Sequence, residues 1–284
     1  MVKVRREDKL TGIFTSLADA IGAIPDGASL AVTKFNPMAA IRELIRQRRK
    51  NLHLIGVPTA GVAVDLLVAA GCVASAETGA FVLGNYGTAR NCMRAIEDGG
   101  IRLIDSACPL IEMQLRAGAA GLPFTPVPGL IGSDLLAQRP ELKIIDNPYD
   151  PGFEIVIAPA LRPDFAIIHA LRADEDGNVV TTIHNEERLI VQAAQHSIAT
   201  VEQVRPDALQ ALAADEQVIP ALYFNAVVAA PGGALPFACR GYYGEDKDAV
   251  RSYLAASREA ESMTRYLQPL RETGKAAEKP LVHA

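Results

Sequence analysis

A mainly parallel, doubly wound α/β sheet flanked by helices is the fold class this sequence predicts, on three observations. Hydrophobic residues make up 49% of the 284-residue chain, aromatics only 5%, and Trp is absent. This aliphatic composition suits parallel strands buried beneath helices. Strand and helix patterns alternate through the first half in the rhythm of β-α units. Short apolar runs such as HLIGV and DFAIIHA have strand length and read as buried strands.

The elements follow in order. Leu17, Ile21 and Ile24 share a helical face, and Pro25-Asp26-Gly27 turns the chain into the strand SLAVT at 29–33. Asn36 can cap and Pro37 can start a helix bearing Ile41, Leu44 and Ile45, ending in the basic run Arg46 to Lys50. A strand at 53–57, a helix over 62–70 closed by Gly71, and a strand from Val73 towards Gly79 come next. A helix over roughly 88–98 precedes the strand IRLID, and another helix begins near Pro109.

The stretch RAGAAGLPFTPVPGLIGSDLL, Arg116 to Leu136, passes from a helix-compatible segment into a loop. There Pro123, Pro126 and Pro128 remove backbone donors, and the Gly132-Ser133 step is placed to open a further helix. Strands EIVIAPA and DFAIIHA follow, then a tight turn at Asp176-Gly177, a helix near 189–195, the strand SIATVEQV and the apolar run YFNAVVAAP. One amphipathic helix is expected from Glu245 to about Glu272, carrying Val250, Leu254, Tyr266 and Leu267, before a frayed end at Thr273 to Pro280. With no repeat, linker or low-complexity tract, residues 1–284 read as a single domain.

A net charge of −5 argues against a general nucleic-acid or anionic-membrane surface. No apolar run approaches the roughly 20 residues of a membrane span, and MVKVRREDKL has no signal-peptide hydrophobic region. Cys72, Cys92, Cys108 and Cys239 are scattered, as free thiols of a cytoplasmic protein would be. The histidines show no ligand spacing, so no metal is expected.

No GxGxxG, P-loop or GxSxG motif is present. In a doubly wound sheet the site lies at the carboxyl ends of the strands, which selects Thr33-Lys34-Phe35-Asn36, Gly56 to Gly61, Glu77 to Gly87 and the loop around Gly129 to Ser133. Lys34 can pair with a carboxylate or phosphate, or remain a surface lysine. Glu77, in the small apolar run VASAETGAF, reads as a desolvated nucleophile or base, or as a strand-end carboxylate bonded to a neighbouring loop. Gly84 and Asn85 form a turn able to approach a ligand, or simply a turn. Glu112 and Arg116 are spaced as a helix-surface ion pair. His169 reads as a satisfied core imidazole rather than a base, and Cys108 as a small buried hydrophobe rather than a thiolate.

Taken together, RAGAAGLPFTPV, IDNPYDPG, DFAIIHALRADEDGNV and IPALYFNAVVAAPGGALP resemble the A (α) subunit of family I CoA-transferases, from about Leu17 to Tyr243. The resemblance implies a NagB/RpiA-like fold and a homologous B subunit, in a heterodimer or heterotetramer. It implies an acyl-CoA and a carboxylic acid as substrates, with coenzyme A carried as a thioester and no permanently bound cofactor. The nucleophilic Glu is expected on the B subunit. By position, Thr33, Lys34, Phe35 and Asn36 replace the family's Gly-Gly-Phe loop. Lys34 and Asn36 are thereby assigned to carboxylate or phosphate contacts, and Gly132 and Ser133 to the thioester or acyl carbonyl. Lys34 and Glu77 depart from the usual pattern. Two other readings therefore stand beside transfer: a ring-opening CoA-thioester hydrolase or lyase with Glu77 as base, and a non-catalytic scaffold subunit.

Overall fold

The computed structural model describes residues 12–33, 37–57, 59, 61–183 and 186–273. Lys34, Phe35 and Asn36 lie outside them, as does nearly all of the tail expected to fray. The first half follows the β-α rhythm: α1 (Leu17–Gly22), β1 (Ser29–Thr33), α2 (Met38–Arg46), β2 (Leu52–Val57), α3 (Gly61–Ala69), β3 (Val73–Thr78), α4 (Arg90–Glu97), β4 (Arg102–Asp105) and α5 (Cys108–Ala119). Pro109 lies in the first turn of α5, where its missing N–H costs no helical hydrogen bond.

Next come β5 (Phe124–Val127), α6 (Leu135–Gln138), β6 (Lys143–Asp146), β7 (Glu154–Pro159), β8 (Phe165–Ala173), β9 (Val179–Thr182), α7 (Glu187–Ala193) and β10 (His196–Val204). The described chain closes with β11 (Glu216–Ile219), β12 (Ala226–Ala229), α8 (Lys247–Ala256) and α9 (Ala260–Thr273).

The main sheet has nine strands, ordered β11-β9-β8-β1-β2-β3-β4, with β10 pairing both β8 and β12. Strands β1 to β4, β8, β10 and β12 run parallel to one another, and antiparallel pairing is confined to β9 with its neighbours β8 and β11. β8 is long enough to serve two neighbours on one edge. Its start pairs with β1 through Leu30↔Phe165, and its end pairs with β9 through Ala173↔Val179. Strand alternation splits the core into two layers. Leu30, Val32, Leu52 and Leu54 face α2, α3 and α9, while Ala31, Ile55 and Val57 face α5 and α7.

Three expectations need correction. The proline-rich loop contains a strand: β5 pairs with β7, and β7 with β6, in a separate antiparallel sheet. β5 is an edge, the one place where Pro126 sacrifices no ladder hydrogen bond. The Gly132-Ser133 step does not open a helix. Ser133 Oγ donates to Leu130 O at 2.7 Å, closing a turn, and the one-turn α6 starts after Asp134.

The expected long terminal helix is two helices, broken around Ser257. Arg94 donates to the carbonyls of Ser257 (3.2 Å) and Arg258 (3.3 Å), satisfying groups that a continuing helix would have used itself. The break turns α9 onto α2 and buries Met263, Leu267 and Leu270. Asp65 of α3 anchors α8. Fully buried, it accepts from Asn91 Nδ2 (2.8 Å), from Cys92 N (2.8 Å) and from the Tyr253 hydroxyl.

Candidate active site at the carboxyl rim of the sheet

The parallel strands deliver their carboxyl ends to one rim. Thr33 ends β1 there with its side chain fully buried, and its Oγ1 has no hydrogen-bond partner among the described residues. Lys34, Phe35 and Asn36, which continue from it, lie outside the described residues. The loop after β3 is held close by Gly79, where an added Cβ would stand 2.6 Å from Cys108 Sγ and 2.8 Å from Cys108 N. Gly84 and Asn85 fall in a 3₁₀ turn of that loop, exposed, with Gly84 at φ +61°. Tyr86 of the same turn donates to Glu245, ahead of α8.

Glu77 lies just below this rim, and its surroundings settle which pair it belongs to. Its side chain is 5% exposed and meets Arg139 Nη2 at 2.9 Å. Arg139 also donates to Asp105 O (2.8 Å) and to Glu141 (2.5 Å), so it stitches β3 and β4 to the segment leading into β6. His53 Nε2 stands 4.0 Å from the second Glu77 oxygen, with His53 Nδ1 2.8 Å from Ser75 Oγ. Burial pushes the His53 imidazole below its ordinary range, aided by Arg102 and Arg139, and Glu77 only partly offsets this. Gly132 and Ser133 sit in the turn before α6, on the small antiparallel sheet side of this stitch.

A second buried cluster stands beyond β1. His169 of β8 and Glu202 of β10, both side chains 3% exposed, meet at 2.7 Å through Nε2 and Oε1. Glu202 also accepts from the Tyr243 hydroxyl (2.5 Å), Gly232 N (2.8 Å) and Gly233 N (3.2 Å). A carboxylate taking those three donors takes its fourth from Nε2–H, which assigns the His169 tautomer by its hydrogen bonds. Nδ1 then faces Thr200 Oγ1 at 2.8 Å. Burial alone would raise the Glu202 carboxyl, but the His169, Tyr243 and Gly232 donors together bring it below its usual value. Burial and the same carboxylate push Tyr243 up.

Cys239 brings a third potential ligand atom to within 4.8 Å of His169 and Glu202, a convergence that linear spacing does not show. Burial, then the charges of Glu202 and Glu187, push its thiol up to about 12, which disfavours the thiolate a metal would need. With His169 and Glu202 committed to protein donors and acceptors, the cluster fits a structural network better than a metal site.

The described rim thus presents backbone, hydroxyls and paired charges. The model of the family described as "Coenzyme A transferase" matches residues 14–230. The chain belongs to that family. The 3-oxoadipate CoA-transferase α-type (A) component from Pseudomonas knackmussii is 31% identical over 251 residues, 86% of this chain and 88% of that protein. The crystal structure of glutaconate coenzyme A-transferase from Acidaminococcus fermentans superposes with a TM-score of 0.83 at 27% identity, covering 93% of this chain and 90% of the other. A cysteine-to-serine variant of the decarboxylase AibA/AibB superposes at 0.77 with 35% identity, covering 89% and 97%. The open, mostly parallel sheet with helices on both faces is thus the transferase-family architecture, as the sequence resemblance implied.

In this family member the sequence-predicted residues do not form one constellation. Thr33, Glu77 and the Gly84-Asn85 turn belong to the rim of the main sheet, whereas Gly132 and Ser133 belong to the small sheet's turn. Glu112 and Arg116 pair at 2.7 Å on the exposed face of α5, as their spacing predicts. Glu202, Tyr243 and Arg139 carry no local motif. The signal available was the family-like run APGG, whose glycines bring Gly232 and Gly233 onto Glu202.

Proposed function

We propose that this chain is the A-type half of a heteromeric CoA-transferase that moves CoA from an acyl-CoA to a carboxylic acid, with the nucleophilic Glu on a B-type partner. One observation carries the assignment of the nucleophile to the partner: each buried carboxylate of the described residues is already held by donors. Glu43 is held by Arg46 and Gln47, Asp65 by Asn91, Cys92 N and Tyr253, and Glu77 by Arg139. Asp174 is held by Asn178, Glu187 by Thr181, and Glu202 by four donors. A nucleophile must keep an accessible lone pair, and none of these does.

In the family reaction the partner's glutamate attacks the thioester carbonyl, forming an acyl-glutamyl anhydride and releasing CoA thiolate. The thiolate returns to the glutamyl carbonyl and expels the first carboxylate, and the incoming acid then takes the acyl role in the reverse sequence. This chain supplies one wall of the acyl pocket: Thr33 to Asn36 after β1, with Gly84 and Asn85 and with Gly132 and Ser133 flanking it. Backbone N–H and hydroxyl donors there oppose the charge that develops on the carbonyl oxygen. We assign Lys34 to the far carboxylate of a dicarboxylic acid. Support comes from its place beside Thr33 and from the two relatives named for 3-oxoadipate and glutaconate. The buried free thiols of Cys72, Cys92 and Cys239 support a reducing, cytoplasmic setting. No helix among the described residues is long and apolar enough to cross a membrane.

The test is co-expression with a B-type partner, incubation with acyl-CoA, and trapping with borohydride. A CoA-dependent modification on a partner glutamate supports transfer. Loss of CO₂ from the acyl-CoA without any adduct would instead align the protein with the decarboxylase it resembles. CoA-dependent carbon–carbon cleavage abolished by Glu77→Gln would favour the hydrolase reading, which the Arg139 pairing of Glu77 opposes.

A further inference from the structure

The turn 230–235 joins β12 to the last third of the chain, and its amides are unusually committed. Gly232 N and Gly233 N both donate to Glu202, and Ala234 N donates to Tyr243 Oη at 3.0 Å. Tyr243 in turn donates to Glu202, so one carboxylate commands three successive peptide units. From below, the His169 ring presses on the turn: a Cβ at Gly233 would lie 2.4 Å from His169 Cε1 and 2.6 Å from Nδ1. Nothing larger than glycine fits there without moving a ring that Thr200 and Glu202 pin at both nitrogens.

With its N–H groups held inward, the turn points two carbonyls at α2. Gly233 O accepts from Ala39 N at 2.8 Å, and Leu235 O accepts from Arg42 Nη1 at 2.7 Å. Ala39 lies in the first turn of α2, which has no side-chain cap of its own at Pro37. The Gly233 carbonyl therefore fixes where α2 begins, and α2 begins at the carboxyl end of β1, where Thr33 leaves a buried hydroxyl unpaired among the described residues. A helix start left uncapped by its own sequence takes its height and rotation from what holds it externally.

We infer that Glu202 is a positioning residue for the transfer reaction, acting through the Gly232-Gly233 turn to hold the first turn of α2 at the rim, with His169 and Tyr243 holding Glu202 itself. Glutamine at 202 keeps the shape but turns an N–H₂ group towards donors, so it cannot accept from all four. Phenylalanine at 243 removes one donor and leaves the carboxylate in place. The kinetic arm rests on the transferase reading, and the exchange arm does not.

The experiment uses the full chain assembled with its B-type partner, comparing wild type, Glu202→Gln and Tyr243→Phe. Amide hydrogen exchange is read at Ala39, Gly232 and Gly233, and kcat and KM for acyl-CoA are measured on the same preparations below their melting temperatures. In Glu202→Gln, exchange at Ala39 is expected to quicken at least tenfold. Its kcat should fall at least tenfold with KM changed less than threefold, a split that simple loss of folded protein does not produce. Tyr243→Phe shifts both in the same direction by less, and it decides the matter if Glu202→Gln fails to assemble. Wild-type exchange at Ala39 in the variants, or faster exchange with unchanged kcat, overturns the inference. A wild-type complex that transfers no CoA overturns the transferase reading, and exchange at Ala39 then still decides whether Glu202 positions α2.

Discussion

Removing Arg139 should be far more damaging to folding than to the chemistry of transfer. In Arg139→Met, Glu77 stays 5% exposed and loses its 2.9 Å partner, leaving only His53 at 4.0 Å. Stranding one member of a buried ion pair costs about 3–5 kcal/mol. Unfolding entropy is roughly 2.1 cal/mol/K per residue, so 284 residues give about 0.6 kcal/mol/K and a drop in Tm of about 5–8 °C. Replacing both partners, as Glu77→Leu with Arg139→Met, should recover most of that loss, because burying apolar groups avoids the desolvation of either charge. Differential scanning fluorimetry of the two singles and the double in the assembled protein measures the coupling. A single-mutant Tm within about 1 °C of wild type, or a double mutant as unstable as the sum of the singles, refutes the buried-pair account. So does a hundredfold loss of transfer in Glu77→Gln at unchanged Tm, which would make Glu77 the base that its pairing argues it is not.

Gly118→Ala is expected to lower stability by at least ~2 kcal/mol, because its Cβ would lie 2.2 Å from the backbone oxygen of Leu161 and must drive α5 from the segment beside it; thermal melting reads this directly. Acidification should destabilise the fold from about pH 6.5 downward. His53 titrates lower when folded than unfolded, so the unfolded chain binds more protons and stability falls as pH drops through that window. Melting curves between about pH 5 and 8 should lose part of this slope in His53→Asn. Tyr253→Phe leaves Asp65 buried with one donor fewer, a loss of ~1–3 kcal/mol, and limited proteolysis should then cut first between α8 and α9. Arg116→Ala should change stability by less than ~0.5 kcal/mol, since both partners of its pair are exposed.

The β-α succession was legible because period-2 and period-3.6 patterns are local properties of the chain. β1, β2, β3 and β4 lie within a residue or so of where those patterns place them. The strand through Pro126 was not legible, since its tolerance for proline depends on being an edge, and edges are set by neighbours far along the chain. Nor was the break at Ser257, which no local residue forces; Arg94, from another helix, supplies the hydrogen bonds that permit it. Glu77 was visible as a carboxylate in apolar company, but its partner lies 62 residues away. Glu202 meets His169 and Tyr243 across 33 and 41 residues. Parallel crossovers create such meetings, and linear spacing carries no trace of them. The family motifs led to the transferase architecture and left the identity of its struts to the fold.

The position of α9 bears on how the protein is made. Met263, Leu267 and Leu270 belong to the same core as Leu30, Ile41 and Leu66, and Arg271 reaches back to the carbonyl of Ala70. The first helices to leave the ribosome thus find their cover among residues synthesised some two hundred positions later. Until then α2 and α3 expose aliphatic surface, and β1 waits for β8 on its other side. The nascent chain should engage holdase chaperones through most of its translation. A premature stop ahead of α8 would yield not a trimmed enzyme but a sticky fragment open to proteolysis.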